Sequence, residues 1–439
     1  MDILALIVIA PILFIVGQFI SKKTKIAPPI FYLTIGILFG GSAGIAHIFG
    51  NQNLLPNMAN YNTIALWLMF FGAGFNIDLN KLKTSGKDTI ALSSLPVFIE
   101  GIIMTVIVTI GVKVLPLGFD LGFWQVMIIM MLFAMASPAN IIPACVGYNM
   151  KGYAGKNRIT DSLITASIFD NFIPFPLLVV ALILTAAPAM GMELSPIMIT
   201  VIVFAVVVGL VIVCAISGVL GGIAAKALSP LSDKVYQNPD NKKLKIAYTM
   251  IYFIIFALLL NFSGPLKSLA VLIIVAISVG INQKEKNKLG SVIGLNSSII
   301  FAMFGSPIIF TYVGSLINIR ALLNPVMLIF GIVVTFIAIV IKGFVTKRIV
   351  LKDNRYTEGE RTFAAASFVP KGIILVNFSL ILMGPLNAVG LGYIIDFMIL
   401  MAAISIVTSV PLGITLLDKA GDKWLFKEDY NDDSVSEYV

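Results

Sequence analysis

An all-α, polytopic membrane fold of about thirteen spanning helices is what this sequence predicts. Three observations carry that expectation: an apolar composition, apolar windows of spanning length from one end to the other, and basic residues that collect in alternate loops. Hydrophobic residues make up 59% of the 439 and charged residues 12%, with a mean hydropathy of +1.00. Soluble domains are roughly 45–50% apolar and about 25% charged. Length here is therefore spent on repeated membrane crossings, and no enzyme-sized soluble domain fits between them.

The windows run Ile3 to Ile20, Pro29 to Phe49, Thr63 to Ile77, Thr89 to Val112, Phe123 to Val146, Ser162 to Leu184 and Ile197 to Ala225. A second series runs Ile246 to Phe262, Ser268 to Ile281, Val292 to Ile317, Pro325 to Phe344, Phe363 to Leu382 and Gly392 to Leu417. The first is followed by Lys22, Lys23 and Lys25 and lacks a basic leader and a small-residue cleavage site, so it reads as a retained helix instead of a signal peptide.

Charge tests the count. With the N-terminus outside, an odd number of crossings puts Lys22, Lys81, Lys151, Lys242, Lys284, Lys347 and Lys419, with their neighbours, on the cytoplasmic side. Of 30 Lys and Arg, Lys113, Lys267 and Arg320 fall outside and Lys371 lies mid-span. That bias predicts a multi-pass protein of the inner (plasma) membrane with a cytoplasmic C-terminus. The polar stretch 226–245, with Pro230 and Pro239, reads as a cytoplasmic linker between halves 1–225 and 246–417. Residues 351–361 form a second cytoplasmic loop, and 418–439 form a short acidic tail whose end, Asn431 to Val439, is expected to be disordered.

Several function classes drop out. The net charge of +8 is dispersed among short loops, unlike a nucleic-acid surface. Cys145 and Cys214 lie inside apolar runs without metal-ligand spacing, which argues against a disulfide framework or zinc. An intramembrane aspartyl hydrolase needs two facing carboxylates, and only Asp170 and Glu100 are available to provide them. No phosphate loop and no cofactor are indicated.

Two features suggest an inverted repeat. Phe71-Gly-Ala-Gly74-Phe-Asn-Ile-Asp78-Leu in the third window echoes Tyr312-Val-Gly314-Ser-Leu-Ile-Asn318-Ile in the tenth. Likewise, Ala136-Ser137-Pro138-Ala139-Asn140 through Pro143 in the fifth window is matched by Ser367-Phe-Val-Pro370-Lys371-Gly372 in the twelfth. Helix breakers at matched depth in oppositely oriented halves mark secondary transporters with a midplane site. Chance likeness of two apolar glycine-bearing helices is the other reading.

Three ionisable residues fall near mid-span: Glu100, Asp170 and Lys371. Facing lipid, each would cost about 2.5–3.5 kcal/mol, so each is expected to face the bundle interior or a water-filled cavity. Asp170 is the leading candidate for a site where a proton and a hard monovalent cation compete for one carboxylate; the alternative is a structural role beside a kink at Pro174 or in an ion pair with Lys371. Ser137, Asn140, Ser167 and Asn171 are candidate oxygen donors around it. Pro138, Pro143, Pro370 and Gly372 are candidate helix breaks whose freed backbone carbonyls line the site. Lys371 either balances the half-helix ends, or pairs with Asp170, or forms a structural ion pair. Glu100 is a possible second proton site, with an interhelical hydrogen bond as the plainer role. Asp396 is expected at an interface, and His47 at the outer end of the second window. Lys342 is expected to snorkel to the cytoplasmic surface.

These residues carry a resemblance. Ala136-Ser-Pro-Ala139 followed by Pro143, Gly152-Tyr153 and the Asp170-Asn171 pair is similar to the monovalent cation/proton antiporter superfamily, the sodium/proton exchangers. Phe70-Phe-Gly-Ala-Gly74 with Asp78-Leu79, and Phe368-Val-Pro-Lys371-Gly, resemble an early and a late segment of the same family. The resemblance implies thirteen helices in two inverted repeats, crossed broken helices at the fifth and twelfth spans, elevator-like motion, a homodimer, and Na+ or K+ exchanged for H+. The family carries Asp-Asp or Asn-Asp at its ion site; an ungapped alignment from Ala136 puts Asp170-Asn171 there in the reverse order, whereas a shift of one position puts Asp170 in the ion-binding slot with Phe169 before it. Either Asp170 takes the ion-binding role, with one-for-one exchange, or the scaffold serves as a cation channel or a transport-impaired sensor.

Overall fold

The computed structural model describes the 439-residue chain apart from residues 1–2, 25–27, 40–54, 76, 78, 154–158, 172, 262–269, 286–288, 318–323, 354, 372 and 427–439. His47, Asp78, Lys267, Asn318, Arg320, Gly372 and the tail end from Asn431 thus lie outside the described residues. All regular structure among the described residues is helical.

In chain order the helices are α1 (Ile3–Thr24), α2 (Pro28–Phe39), α3 (Leu55–Phe75), α4 (Leu79–Val114), α5 (Phe123–Ala134), α6 (Pro138–Met150), α7 (Ile159–Phe169), α8 (Phe175–Ala189) and α9 (Pro196–Ala227). Then follow α10 (Ser229–Gln237), α11 (Lys242–Asn261), α12 (Ala270–Lys284), α13 (Gly290–Ile300), α14 (Ser306–Leu316), α15 (Pro325–Phe344), α16 (Glu358–Ser367), α17 (Ile373–Ala388) and α18 (Gly392–Trp424). A π-helical turn, Phe301–Gly305, joins α13 to α14, and another, Val345–Val350, extends α15. Every one of the predicted windows holds helix. Five uninterrupted helical segments among the described residues are long and apolar enough to cross a bilayer alone, the most apolar being Ile197–Ala227.

The fifth, sixth and twelfth windows are each split in two. Met135 is extended (φ −61°, ψ 142°) and Ser137, just before Pro138, is also extended (φ −101°, ψ 96°). A residue preceding proline is pushed out of the helical region, while proline itself is well placed to open the next helix. The same rule acts at Val369 before Pro370, separating α16 from α17. In the sixth window α7 stops at Phe169 and α8 resumes at Phe175, with Asp170 and Asn171 in the intervening turns and Pro174 and Pro176 nearby.

The chain forms two compact units. One comprises Met1–Thr84 and Val208–Leu316, and the other Ser85–Val207 and Ile317–Val439, so each sequence half contributes to both. In the first unit helices meet through small residues. A Cβ on Gly36 would fall 2.8 Å from Gly314 Cα, and one on Gly314 would fall 2.9 Å from Gly36 Cα. The backbones of α2 and α14 therefore touch, and only glycine permits it. Gly74 abuts Ser278 in the same way, and Gly280 abuts Gly218. All three glycines of the predicted echo, Gly72, Gly74 and Gly314, thus serve close helix contacts, Gly72 against Ser297. Phe71, fully buried, packs edge-on against Phe75, Phe253 and Phe256. The Asn282 amide donates to the carbonyls of Phe75 and Ile77, satisfying the end of α3.

The expected linker 226–245 is mostly helix. Here α9 runs to Ala227 and α10 is a short amphipathic helix held by a hydrogen bond from Ser232 to the buried Glu285, which also accepts from the Leu289 amide. The last helix likewise continues through 418–424 before the tail.

In the second unit α18 is the buried centre, with Phe397, Met398, Met401 and Ala402 fully enclosed. The Tyr148 hydroxyl donates to the Leu417 carbonyl and ties α6 to α18. Asp396 is exposed on α18.

Candidate ion-exchange site

The site is assembled at the interruptions of the second unit. Ending α5 at Ala134 frees carbonyls, and starting α6 at Pro138 leaves amides in the break without helical partners. Two side chains take them up. The Asp170 carboxylate accepts a hydrogen bond from the Ala136 amide at 2.7 Å through Oδ1. The Lys342 ammonium donates to the Ala134 carbonyl. Lys342 also pairs with Asp170 Oδ2 at 2.8 Å, so the two groups close the break and bind each other.

Both are wholly buried: Asp170 and Lys342 are each 0% exposed. A charge so placed is tolerated only when paired and hydrogen-bonded. An ammonium at the carbonyl end of α5 is also favoured by the helix dipole. The face of the Phe368 ring, in the twelfth-window break, lies 4.9 Å from Lys342 Nζ and adds a cation–π contact.

A second pair adjoins the first. Lys371 Nζ lies 2.6 Å from Glu100 Oε1 and 2.8 Å from Oε2. Its backbone amide, freed by the break at Pro370, is satisfied by Ser409 Oγ at 2.9 Å. Glu100 Oε2 is in turn 4.0 Å from Lys342 Nζ. All four side chains are fully buried, and taken as ionised they alternate in sign and sum to zero.

The oxygen donors expected around Asp170 divide. Asn171 is 1% exposed; its amide nitrogen donates to the Ser167 carbonyl at 2.7 Å, while Oδ1 has no hydrogen-bond partner among the described residues. A buried amide oxygen left unmatched is ready to accept from a ligand. Ser137 Oγ accepts from Asn140 Nδ2 at 3.1 Å beside the break. Ser167 is turned back onto its own helix, donating to Ile164.

Three expectations are corrected. Pro143 does not interrupt a helix: α6 runs through it from Pro138 to Met150, and the break lies wholly before Pro138. Lys342 does not snorkel: it is buried in the ion pair with Asp170. The π-helical turn after α15 carries the eleventh span to Val350, so Lys342 sits eight residues, about 12 Å, from its inner end, beyond what a lysine stem bridges. The signal lay in the sequence, since apolar Ile349-Val350-Leu351 follows Lys347-Arg348. Lys371, for its part, is paired with Glu100, and Asp170 has Lys342 instead.

The comparisons with known proteins agree with this architecture. The family described as "Sodium/hydrogen exchanger, transmembrane" matches residues 4–417. The structure of the sodium proton antiporter MjNhaP1 from Methanocaldococcus jannaschii at pH 8 is similar, with a TM-score of 0.68 and 15% identity, covering 97% of this chain and 99% of that one. An electron-microscopy structure of the same antiporter gives 0.63 and 15% identity, covering 96% and 98%. At that identity the likeness shows a shared fold. No curated protein matches the sequence significantly.

Proposed function

We propose, from the premise that this chain belongs to the sodium/hydrogen exchanger family, that it exchanges a monovalent cation for protons by alternating access, with the Asp170 carboxylate as the group for which they compete. Members of that family are multi-pass membrane transporters, not enzymes. Na+ is the first-choice cation and K+ the alternative. The observation that carries the reading is a single one: Asp170, fully buried, bridges the backbone of an interrupted helix and a lysine ammonium.

Three claimants then meet at one carboxylate. A proton neutralises it, the Lys342 ammonium pairs with it, and a hard cation requires it together with neutral oxygens to replace lost water. The orphan Asn171 oxygen, Ser137 and the freed carbonyls of the α5–α6 break are the neutral donors within this proposal. Asn171 adds no charge, so one cation displaces one proton and exchange is electroneutral. A buried ion pair that must be opened by each ion favours a carrier over the alternative of a channel or transport-impaired sensor.

The orientation proposed from the basic loops, N-terminus outside and C-terminus cytoplasmic in the inner (plasma) membrane, belongs to the same reading, as does a homodimer. The test is proton flux in proteoliposomes with Na+, K+ and Li+ supplied in turn. Wild type should show saturable, cation-driven flux and Asp170→Asn none. Flux that never saturates and needs no opposing proton gradient would sink the exchanger reading.

A further inference from the structure

We infer that Glu100 is a positioning residue for the exchange: it receives the Lys342 ammonium when a cation takes Asp170, so that Lys342 moves aside without giving up its proton. The inference rests on the reading of Asp170 given above and adds what happens to its partner.

A metal ion arriving at Asp170 must dislodge the ammonium now 2.8 Å from Oδ2. Three fates are open to that ammonium: to lose its proton, to stay charged and unpaired in a buried site, or to find another carboxylate. The second is excluded on energetic grounds, because breaking a buried pair leaves an uncompensated charge. The third is provided by geometry. Glu100 Oε2 is 4.0 Å from Lys342 Nζ, so a movement of about 1 Å brings the two into hydrogen-bond range.

Glu100 has the capacity for it. An ionised carboxylate offers about four acceptor sites, and Lys371 occupies one edge of it at 2.6 and 2.8 Å. The charged groups facing Glu100 are Lys371, Lys342 and, more remotely, Asp170; the Lys371 ammonium is the partner that offsets the burial of its carboxylate. Lys342 is built for the displacement. Its stem is flexible, unlike the rigid fork of an arginine. The Phe368 ring face lies beside Nζ, and the π-helical turn Val345–Val350 begins three residues on, a local irregularity of the kind found at functional sites. The rival view is that Glu100 and Lys371 merely fasten α4 to the break before α17.

The test measures cation-driven proton flux in proteoliposomes as a function of Na+ concentration and pH. It compares wild type, Glu100→Gln and the charge-neutral double variant Glu100→Gln/Lys371→Met, which guards against misfolding of the single. Without Glu100, the cation must wait for Lys342 to discharge. The KM for Na+ at neutral pH should rise about tenfold, within the range of coupled neighbouring groups, and the pH–rate profile should move to the alkaline side. A fastener alone predicts altered yield with unchanged KM and profile, and that result overturns the inference. A second measurement needs no variant. In wild-type protein labelled with ¹⁵N-lysine, infrared difference spectra on Na+ addition should show ammonium bands that shift without losing intensity. Lost intensity means discharge, and the inference fails. Asp170→Asn separates the two levels: if it still exchanges, the site reading fails first; if it is inactive while the Glu100 variants match wild type, only the relay fails.

Discussion

Replacing Lys342 by methionine strips the ammonium from Asp170 and from the Ala134 carbonyl while keeping most of the side-chain volume. Asp170 is 0% exposed and would retain, among the described residues, a single side-chain hydrogen bond, that from the Ala136 amide. Removing one partner of a buried pair destabilises by about 3–5 kcal/mol. Asp170→Asn should be milder, because Lys342 keeps the Ala134 carbonyl and has Glu100 Oε2 at 4.0 Å. The double variant Asp170→Asn/Lys342→Met removes both charges and leaves Glu100 with Lys371. Neutral replacement of a buried pair is often without net loss, so the double should lie within about 1–2 kcal/mol of wild type and above Lys342→Met. Thermal unfolding of the four proteins in detergent completes the cycle, with Lys342→Met melting lowest and the double recovering most of the difference. If the double falls by the sum of the two singles, the residues are independent and the assignment of the pair is refuted.

Asn171→Asp places a second carboxylate at the site, and exchange in proteoliposomes should become current-carrying where wild type is silent; a silent variant that still transports would show that position 171 lies off the ion's path. Gly314→Leu forces a side chain into the backbone of α2, where even a Cβ falls 2.9 Å from Gly36 Cα, and should cost at least about 1–3 kcal/mol, read as a lower melting midpoint or lost expression; a wild-type midpoint contradicts the contact. Asp353, in the loop before α16, is held below the usual carboxylate range by hydrogen bonds from Arg355, and Glu358, the first residue of α16, by Lys347. Depressed carboxylates stabilise above their unfolded range and lose that contribution as pH falls, so amide-exchange protection at Arg355, which donates to Asp353, should fade below about pH 4. Protection unchanged to pH 3 would remove Asp353 as its cause.

Much of the fold is legible because a bilayer imposes a strict length rule on apolar helices and because proline acts locally. Pro138 and Pro370 announce the fifth and twelfth breaks, since the residue before each is driven out of the helix by its own sterics. Asp170 is legible as a buried carboxylate by depth alone. Partner choice is another matter. Whether Asp170 meets Lys371 or Lys342 depends on how helices far apart in sequence are rotated about their axes, and depth carries no information on rotation. The depth of Lys342 itself is hidden because Lys347 and Arg348 read as a helix end, whereas the chain continues through a π-helical turn to Val350. The split at Asp170 is likewise only half visible in the sequence, as a kink at Pro174.

The arrangement of the four charges bears on stoichiometry more directly than the count of carboxylates does. As ionised groups, Asp170, Lys342, Glu100 and Lys371 sum to zero, which is the condition under which so many charges are tolerated without water. In the proposed cycle, a Na+ on Asp170 with Lys342 moved to Glu100 gives the cluster one positive charge. A proton on Asp170 with Lys342 still an ammonium gives the same charge. The two loaded forms are thus electrically equal, and each differs by one from the empty form. Equal charge in both directions of loaded movement makes the complete exchange electroneutral, whatever charge the empty form carries. It also explains why a lysine suits position 342: an ion whose stem can swing between two carboxylates compensates whichever one the cargo leaves ionised, a task for which a rigid guanidinium is poorly shaped.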